Sequence, residues 1–336
     1  MILIDSVFIN SGGGLVLLKT LIDQLKDRDD VFFLFDKRTA KYFDNNLINN
    51  KKFISNSILK RHLFYINNRN VYNKVFCFGN LPPTVRLKAQ VYVYFHQPLF
   101  LESPCDFSWK NKFIYSIKRN ILNIIKNNAD LWLVQSEYIK SKFAFKYFNN
   151  SSEQIIKAPF YPEINFSIYS AKRELNSFLY VSNSTPHKNH YRLIEAFCLA
   201  YNLTKKGNLT VTVPESDINL CEHIQKKNKL GYPIKNVGFI DREKLAELYL
   251  CHEYLIFPSL AESFGLGLAE AIDGGCKIIA ADLSYTYEVC EPSLTFDPRN
   301  IESMKNSIIS AMCEDLPYAK KLINNDIHKI TQLLME

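Results

Sequence analysis

A chain of 336 residues that is 47% hydrophobic and 22% charged is long enough for two domains, each burying its own core, and has the composition of a globular protein, not a disordered one. No apolar run approaches the roughly 18 residues of a membrane span, and the start MILIDSVFIN has no charged leader region, so the protein is expected in the cytoplasm. Charge is divided unevenly: residues 1–165 hold 23 Lys+Arg against 13 Asp+Glu, a net of +10, whereas residues 166–336 hold 18 against 21, a net of −3, which points the basic half toward an anionic membrane surface, a lipid diphosphate or nucleic acid.

In chain order, MILIDSVFI reads as a strand, a helix follows from about Gly14 to Lys26, and VFFLF, VFCF, VYVYF and LWLVQ read as later strands, the alternation of a parallel α/β sheet. Ser11, Gly12, Gly13 and Gly14 link the first strand to the first helix, and Asp36 ends the next strand. Leu17 occupies the third glycine position of a G-x-G-x-x-G turn, so nicotinamide binding is disfavoured and a loop approaching a phosphate or an acceptor is the reading. Asp27-Arg28-Asp29 has the form of a D-x-D metal pair, but it lies between a helix and the start of a strand, away from the strand ends that bind ligands. A solvated turn is the reading there, and no metal is expected. Residues 40–66 mix a short helix with a strand. His96, at the end of VYVYF, is either structural or a ligand-binding group at a strand C-terminus. From Trp109 to Asn127, Ile114, Ile117, Ile121 and Ile124 form a stripe read as core. Lys112, Arg119 and Lys126 form another row, either solvated or docked on anionic lipid.

Residues 158–176, with two prolines and no clear period, mark an interdomain linker. A second alternation follows: FLYVS, HYRLIEAFCLAY, LTVTV, CEHIQKKN, IKNVGFI and EKLAELYL. The tail from Asp315 to Glu336 reads as helix. Lys188, in the loop STPHKNH after the first strand of this half, is either a solvated loop lysine or the group that neutralises a diphosphate. Only 11 glycines occur in the chain, and seven of them fall in two clusters, 12–14 and 265–275, where backbone geometry or close ligand approach would require them. The eight cysteines are scattered without metal or redox spacing and read as reduced, mostly buried thiols.

The second glycine cluster lies in PSLAESFGLGLAEAIDGGCKIIAAD, between two strand-like runs. If the segment were helical throughout, Glu262 and Glu270 would stand roughly 80° apart in azimuth and about 12 Å apart along the axis. That spacing fits a grip on a nucleotide sugar, with backbone amides of Phe264 to Leu268 at the helix start open to a pyrophosphate. Two solvated surface glutamates are the alternative.

These residues resemble a family, the group 1 (family 4) retaining glycosyltransferases with the GT-B fold. The resemblance rests on the E-x7-E block from Glu262 to Glu270 with its flanks, on VGFIDREKLAELY, PHKNHYRLIEAF and LWLVQSEYIKSKF, and more weakly on SGGG. It implies two Rossmann-like, doubly wound parallel-sheet domains facing a central cleft: an acceptor domain over 1–165, a nucleotide-sugar domain over 166–314, and a final helix over 315–336 packing back on the first domain. It implies Glu270 on the ribose and Glu262 on the donor sugar. Phe264, Gly265 and Leu266 would bring amides to sugar and phosphate, and Phe239 and Ile240 would lie at the base. Lys188 with Gly12, Gly13 and Gly14 would meet the diphosphate, and His96 the outer hydroxyls of the sugar. Ser182-Asn183 stands where the family often has Gly-Arg. The implied reaction needs no cofactor beyond the nucleoside diphosphate sugar and no metal; the acceptor would be a glycan or a polyprenyl-diphosphate-linked sugar, met at the inner face of a membrane, with no nucleic-acid partner because no recognition motif is present. An epimerase of the same fold and a non-catalytic glycan-binding module are the competing readings.

Overall fold

The computed structural model describes residues 1–44, 48–103, 107–167, 169 and 171–336. The chain forms two units, Met1–Pro162 with Asn324–Glu336, and Glu163–Ile323. In unit 1 the order is β1 (Ile2–Asp5), α1 (Gly12–Leu25), β2 (Val31–Asp36), α2 (Ala40–Phe43), β3 (Lys51–Ile54), α3 (Ile58–Asn67), β4 (Lys74–Cys77), β5 (Gln90–Phe95), α4 (Trp109–Ile125), β6 (Leu131–Val134), α5 (Glu137–Tyr147) and β7 (Ile155–Lys157). Unit 2 continues with β8 (Glu174–Tyr180), α6 (His190–Thr204), β9 (Asn208–Val211), α7 (Ile218–Lys229), β10 (Ile234–Asn236), α8 (Arg242–Cys251), β11 (His252–Phe257), α9 (Leu266–Asp273), β12 (Lys277–Ala281), α10 (Ser284–Val289), β13 (Cys290–Glu291), β14 (Leu294–Phe296), α11 (Ile301–Cys313) and β15 (Lys320–Lys321). Helix α12 (Ile327–Met335) returns to unit 1.

Each unit is built on a parallel sheet, ordered β3-β2-β1-β4-β5-β6-β7 in the first and β10-β9-β8-β11-β12-β14 in the second. The central strands are continuous apolar runs such as VYVYF and LIF because helices cover both faces. On one face of the first sheet, Val75, Val93 and Trp132 pack under Phe64 and Tyr65 of α3, Leu122 of α4 and Phe143 of α5. Helices α1 and α12 meet each other in the same unit. The end of α12 is capped by Lys74, whose Nζ lies 3.2 Å from the carbonyls of Leu333 and Leu334, a cation where the helix dipole favours one. Asp326 N donates to Pro159 O at 2.7 Å and Asn325 Nδ2 to Tyr161 O at 2.8 Å, which fixes the start of that helix.

The tail departs from the sequence reading. Residues 314–326 are not helical; β15 pairs antiparallel with β13 inside unit 2, and the helix begins only at Ile327. Pro317, which lacks an N–H and disfavours the α conformation in the residue before it, keeps α11 from running on into the tail, and the pairing of Lys320 and Lys321 with Glu291 and Cys290 holds the next residues extended. The 40–66 segment holds α2, β3 and most of α3.

The reading of α4 is also overturned. Ile114, Ile117 and Ile124 are 40%, 46% and 79% exposed, and only Leu122 and Ile125 are buried. The helix carries apolar residues on more than one side, and a single stripe cannot say which side meets the sheet. Arg119 and Lys126 point back to the protein, onto Leu99 O at 3.3 Å, Ser103 Oγ at 2.9 Å and the carbonyl of Tyr147. Among the described cysteines, Cys77, Cys198, Cys276 and Cys290 are buried free thiols and Cys313 is exposed; Cys105 lies outside the described residues. No described helix is long and apolar enough to cross a membrane.

Candidate functional site

In unit 2 the loops after β8 and β11 bring Lys188 and Glu262 together. After β8, residues 181–189 turn through a short 3-10 segment, Pro186–Lys188, and Asn189 takes the left-handed conformation (φ 65°) ahead of α6. Asparagine tolerates that region because its short side chain finds local partners. Here it reaches further: Asn189 Nδ2 donates to Pro258 O at 3.1 Å and to Pro298 O at 2.7 Å. Leu260 N donates to His187 O at 2.7 Å, and the Tyr180 hydroxyl donates to Lys188 O at 2.8 Å. These bonds lash the loop after β8 to the loop after β11. Lys188 Nζ thereby meets Glu262 Oε1 in a close ion pair whose side chains are only 15% and 13% exposed. Lys188 is not a freely solvated loop lysine.

Past Glu262, the chain reaches Phe264, which is buried, and Gly265, whose φ of 79° occupies the N-cap of α9. A side chain is strained at that angle, which accounts for glycine. Helix α9 starts at Leu266, so Glu262 lies on the loop and the whole-helix spacing expected for the two glutamates does not apply. The expectation of open amides from Phe264 to Leu268 also narrows, because Leu268 N donates to Gly265 O at 2.9 Å. Leu266 and Gly267 supply the first-turn amides of the helix. Glu270 is 5% exposed and its Oε2 accepts a hydrogen bond from the Tyr249 hydroxyl at 2.9 Å. Tyr249, Asn189 and Tyr285, whose hydroxyl donates to Ser259 O at 2.7 Å, are missed by sequence reading. A tyrosine inside the helical pattern EKLAELYL looks like core, and nothing local marks where its hydroxyl points.

The remaining candidates of this unit lie on another loop. Phe239, 78% exposed, and half-buried Ile240 lie on the loop after β10. Ser182-Asn183 makes its own turn: Ser182 N donates to Thr212 Oγ1 at 2.9 Å, and Asn183 Oδ1 accepts from Thr185 N and Oγ1 at 3.2 and 2.7 Å. His187 is pushed down to about 4, first by burial and then by the neighbouring Lys188, so its ring is neutral at physiological pH.

In unit 1, Gly12, Gly13 and Gly14 form the first turn of α1, with Ser11 at the N-cap, earlier than the start expected near Gly14. His96 lies beside them: a Cβ built on Gly14 would stand 3.0 Å from His96 Cε1. His96 N donates to Asn80 Oδ1 at 2.7 Å, and its Nε2 lies 2.9 Å from Phe78 O. Burial pushes the imidazole down to about 4. The neutral ring then donates from Nε2, which leaves Nδ1 as its acceptor. Asp36 is buried and bonded to Arg38 at 2.9 and 2.7 Å and to Phe8 N at 3.2 Å. It braces the turn after β1. Asp27 and Asp29 are exposed in the turn before β2, where Arg28 pairs with Asp30 at 2.9 Å.

Two parallel-sheet units, with an ion pair and a helix N-terminus at the strand ends of the second, define the GT-B class. Solved structures agree on the fold. Anabaena Alr3699/HepE, determined with UDP and glucose, is 18% identical with a TM-score of 0.67 over 94% of this chain and 90% of its own. The lipopolysaccharide outer core galactosyltransferase WaaB, in its apo form, is 15% identical with a TM-score of 0.64 over 94% and 91%. Residues 163–329, just under half of the chain, match the family described as Glycosyl transferases group 1. Among its relatives, the O-antigen chain mannosyltransferase RfbU of Salmonella typhimurium is 26% identical over 74% of this chain and 69% of its own length. The O-antigen chain mannosyltransferase B of Escherichia coli is 25% identical over 41% of this chain; that match spans 37% of the relative.

Proposed function

We propose that this chain is a retaining, metal-independent glycosyltransferase of surface-polysaccharide synthesis, of O-antigen or capsule type. It would move a sugar from a nucleoside diphosphate donor to a hydroxyl of a glycan or polyprenyl-diphosphate-linked acceptor at the cytoplasmic face of the membrane. The names of its relatives favour mannose as the sugar. The observation that carries the reading is the Lys188–Glu262 pair just ahead of α9, with Glu270 on that helix.

A donor diphosphate at the start of α9 meets the Leu266 and Gly267 amides and the positive end of the helix dipole. It also draws Lys188 Nζ away from Glu262. Glu262, relieved of its cation, accepts from hydroxyls of the donor sugar, while Phe264 and Gly265 shape the turn beneath it. Glu270 accepts from the ribose hydroxyls, its carboxylate held by Tyr249. The base lies by Phe239 and the Ile240 backbone. For unit 1 the family resemblance assigns Gly12, Gly13 and Gly14 to the diphosphate and His96, through Nδ1, to an outer hydroxyl of the sugar. In a front-face step the anomeric carbon–phosphate oxygen bond breaks as the bond to the acceptor oxygen forms on the same face. The acceptor proton passes to the departing phosphate, and Lys188 with the helix amides stabilises the charge left behind.

The test is incubation with UDP-, GDP- and dTDP-sugars, GDP-mannose included, with and without a polyprenyl-diphosphate-linked glycan, in the presence of EDTA. Acceptor-dependent release of nucleoside diphosphate and an unchanged anomeric configuration by NMR are expected. Inversion would sink the retaining mechanism, loss of activity in EDTA would sink metal independence, and interconversion of donors without nucleotide release would establish the epimerase instead. In Glu270→Gln, wild-type donor affinity would remove Glu270 from the site.

A further inference from the structure

We infer that the outer face of α4 is a membrane-insertion surface that docks unit 1 on an anionic bilayer. The inference rests on the membrane-face reading above and deepens it. On a helical wheel at about 100° per residue, the side of α4 that meets the protein carries Leu122, Ile125, half-buried Tyr115 and Arg119. The opposite side, within roughly 80° of arc, carries Trp109, Phe113, Ile117 and Ile124, which are 81%, 63%, 46% and 79% exposed. A solvent face would ordinarily be polar. Here four of the five positions in that arc are large and apolar, with Asn120 between them.

Charge selects the occupant. Residues 109–126 contain five basic residues and no acidic one. Arg119 and Lys126 are turned onto protein carbonyls and Lys118 lies over the ring of Tyr115, whereas Lys110 and Lys112 are exposed to either side of the apolar row. An apolar ridge flanked by lysines and bearing an exposed tryptophan matches the depth profile of a lipid interface, with rings among the acyl boundary and ammonium groups among anionic headgroups. A second copy of the same face would set lysine against lysine. Leu59 and Leu63 of α3, and Phe145 of α5, are also 65%, 49% and 71% exposed, on helices that pack on the same side of the sheet. Of the row Lys112, Arg119 and Lys126, only Lys112 borders the docking face, since the other two are turned onto the protein.

The chain's two tryptophans make the test direct, since Trp132 is fully buried and Trp109 is not. Full-length protein would be mixed with vesicles of phosphatidylethanolamine containing about a third phosphatidylglycerol, and with pure phosphatidylcholine vesicles as control. Co-sedimentation with the anionic vesicles, a blue shift of Trp109 emission, and a fall in binding of at least ~10-fold in Trp109→Ser/Phe113→Ser are expected. Its thermal melt and its affinity for GDP and UDP should stay as in wild type. Failure of wild type to bind anionic vesicles at low salt, unchanged binding by the double variant, or concentration-dependent dimerisation that the variant abolishes would each overturn the inference, the last assigning the face to a protein interface. Nucleotide affinity without vesicle binding leaves the transferase reading standing alone; vesicle binding without donor chemistry leaves only the docking.

Discussion

The two units share a scaffold and use its strand ends differently. Both place their first strand inside a parallel sheet and follow it with a loop and a helix. In unit 1 the acids at those strand ends are locked inward. Asp5 and Arg61, 0% and 3% exposed, form a buried ion pair at 2.6 Å, and the same guanidinium binds the carbonyls of Leu81 and Pro82 at 2.8 Å. In unit 2 the corresponding charges, Lys188 and Glu262, meet only at their tips and keep some exposure. The first pair holds loops in place; under the proposed function the second exchanges partners when a donor binds.

The comparison breaks most severely if Asp5 is expendable. Asp5→Ala leaves Arg61 buried without its anion and should cost about 3–5 kcal/mol, measured by urea unfolding. A loss below about 1 kcal/mol would show that the network is not the brace described. Next in size, Lys188→Ala should lower turnover by about 100-fold or more, the cost of removing one preorganised group that stabilises developing charge. Its melting temperature should move little, and a collapsed melt with intact specific activity would make Lys188 structural. A smaller effect is expected of Tyr249→Phe, which removes one hydrogen bond to Glu270, worth about 1 kcal/mol. The donor KM should rise several-fold with kcat nearly constant, and an unchanged KM would detach Tyr249 from the site.

The pH response is smallest near neutrality. His96 and His187 are held near 4 and His190 near 3, chiefly by burial. Because the folded state binds their protons less readily than the unfolded chain, whose histidines titrate near ~6.5, the stability they contribute is complete above about 6.5 and is lost as pH falls toward 4. Thermal melts should therefore be flat from pH 7 to 8 and fall progressively below 6.5; a rise in stability on acidification would reverse the assignment of these rings as buried and neutral.

Much of the site was legible because its signals are local. The strand-loop-helix-strand pattern around Glu262 and Glu270, and the lysine placed after the strand FLYVS, follow from alternation and from glycine at a left-handed N-cap. Tyr249 was not legible, nor was Asn189 as the staple between two loops, since each acts on residues distant in sequence. The outward row of α4 was misread for a related reason. Helical periodicity reports that a stripe exists but not what it faces, and a helix apolar on two sides offers two candidate stripes.

The sequence by itself determined two parallel α/β units and the uneven charge between them, and singled out the carboxylates and lysine of the candidate site. Those features depend on backbone period and on residues adjacent along the chain. Only the tertiary structure decided that Lys188 is paired with Glu262, that Lys320 and Lys321 of the tail pair as a strand before its last helix, and that Trp109 and Phe113 stand in solvent. Each of these depends on which surface an element buries, and burial is settled by the competition of all apolar faces for one sheet, which no single segment can express.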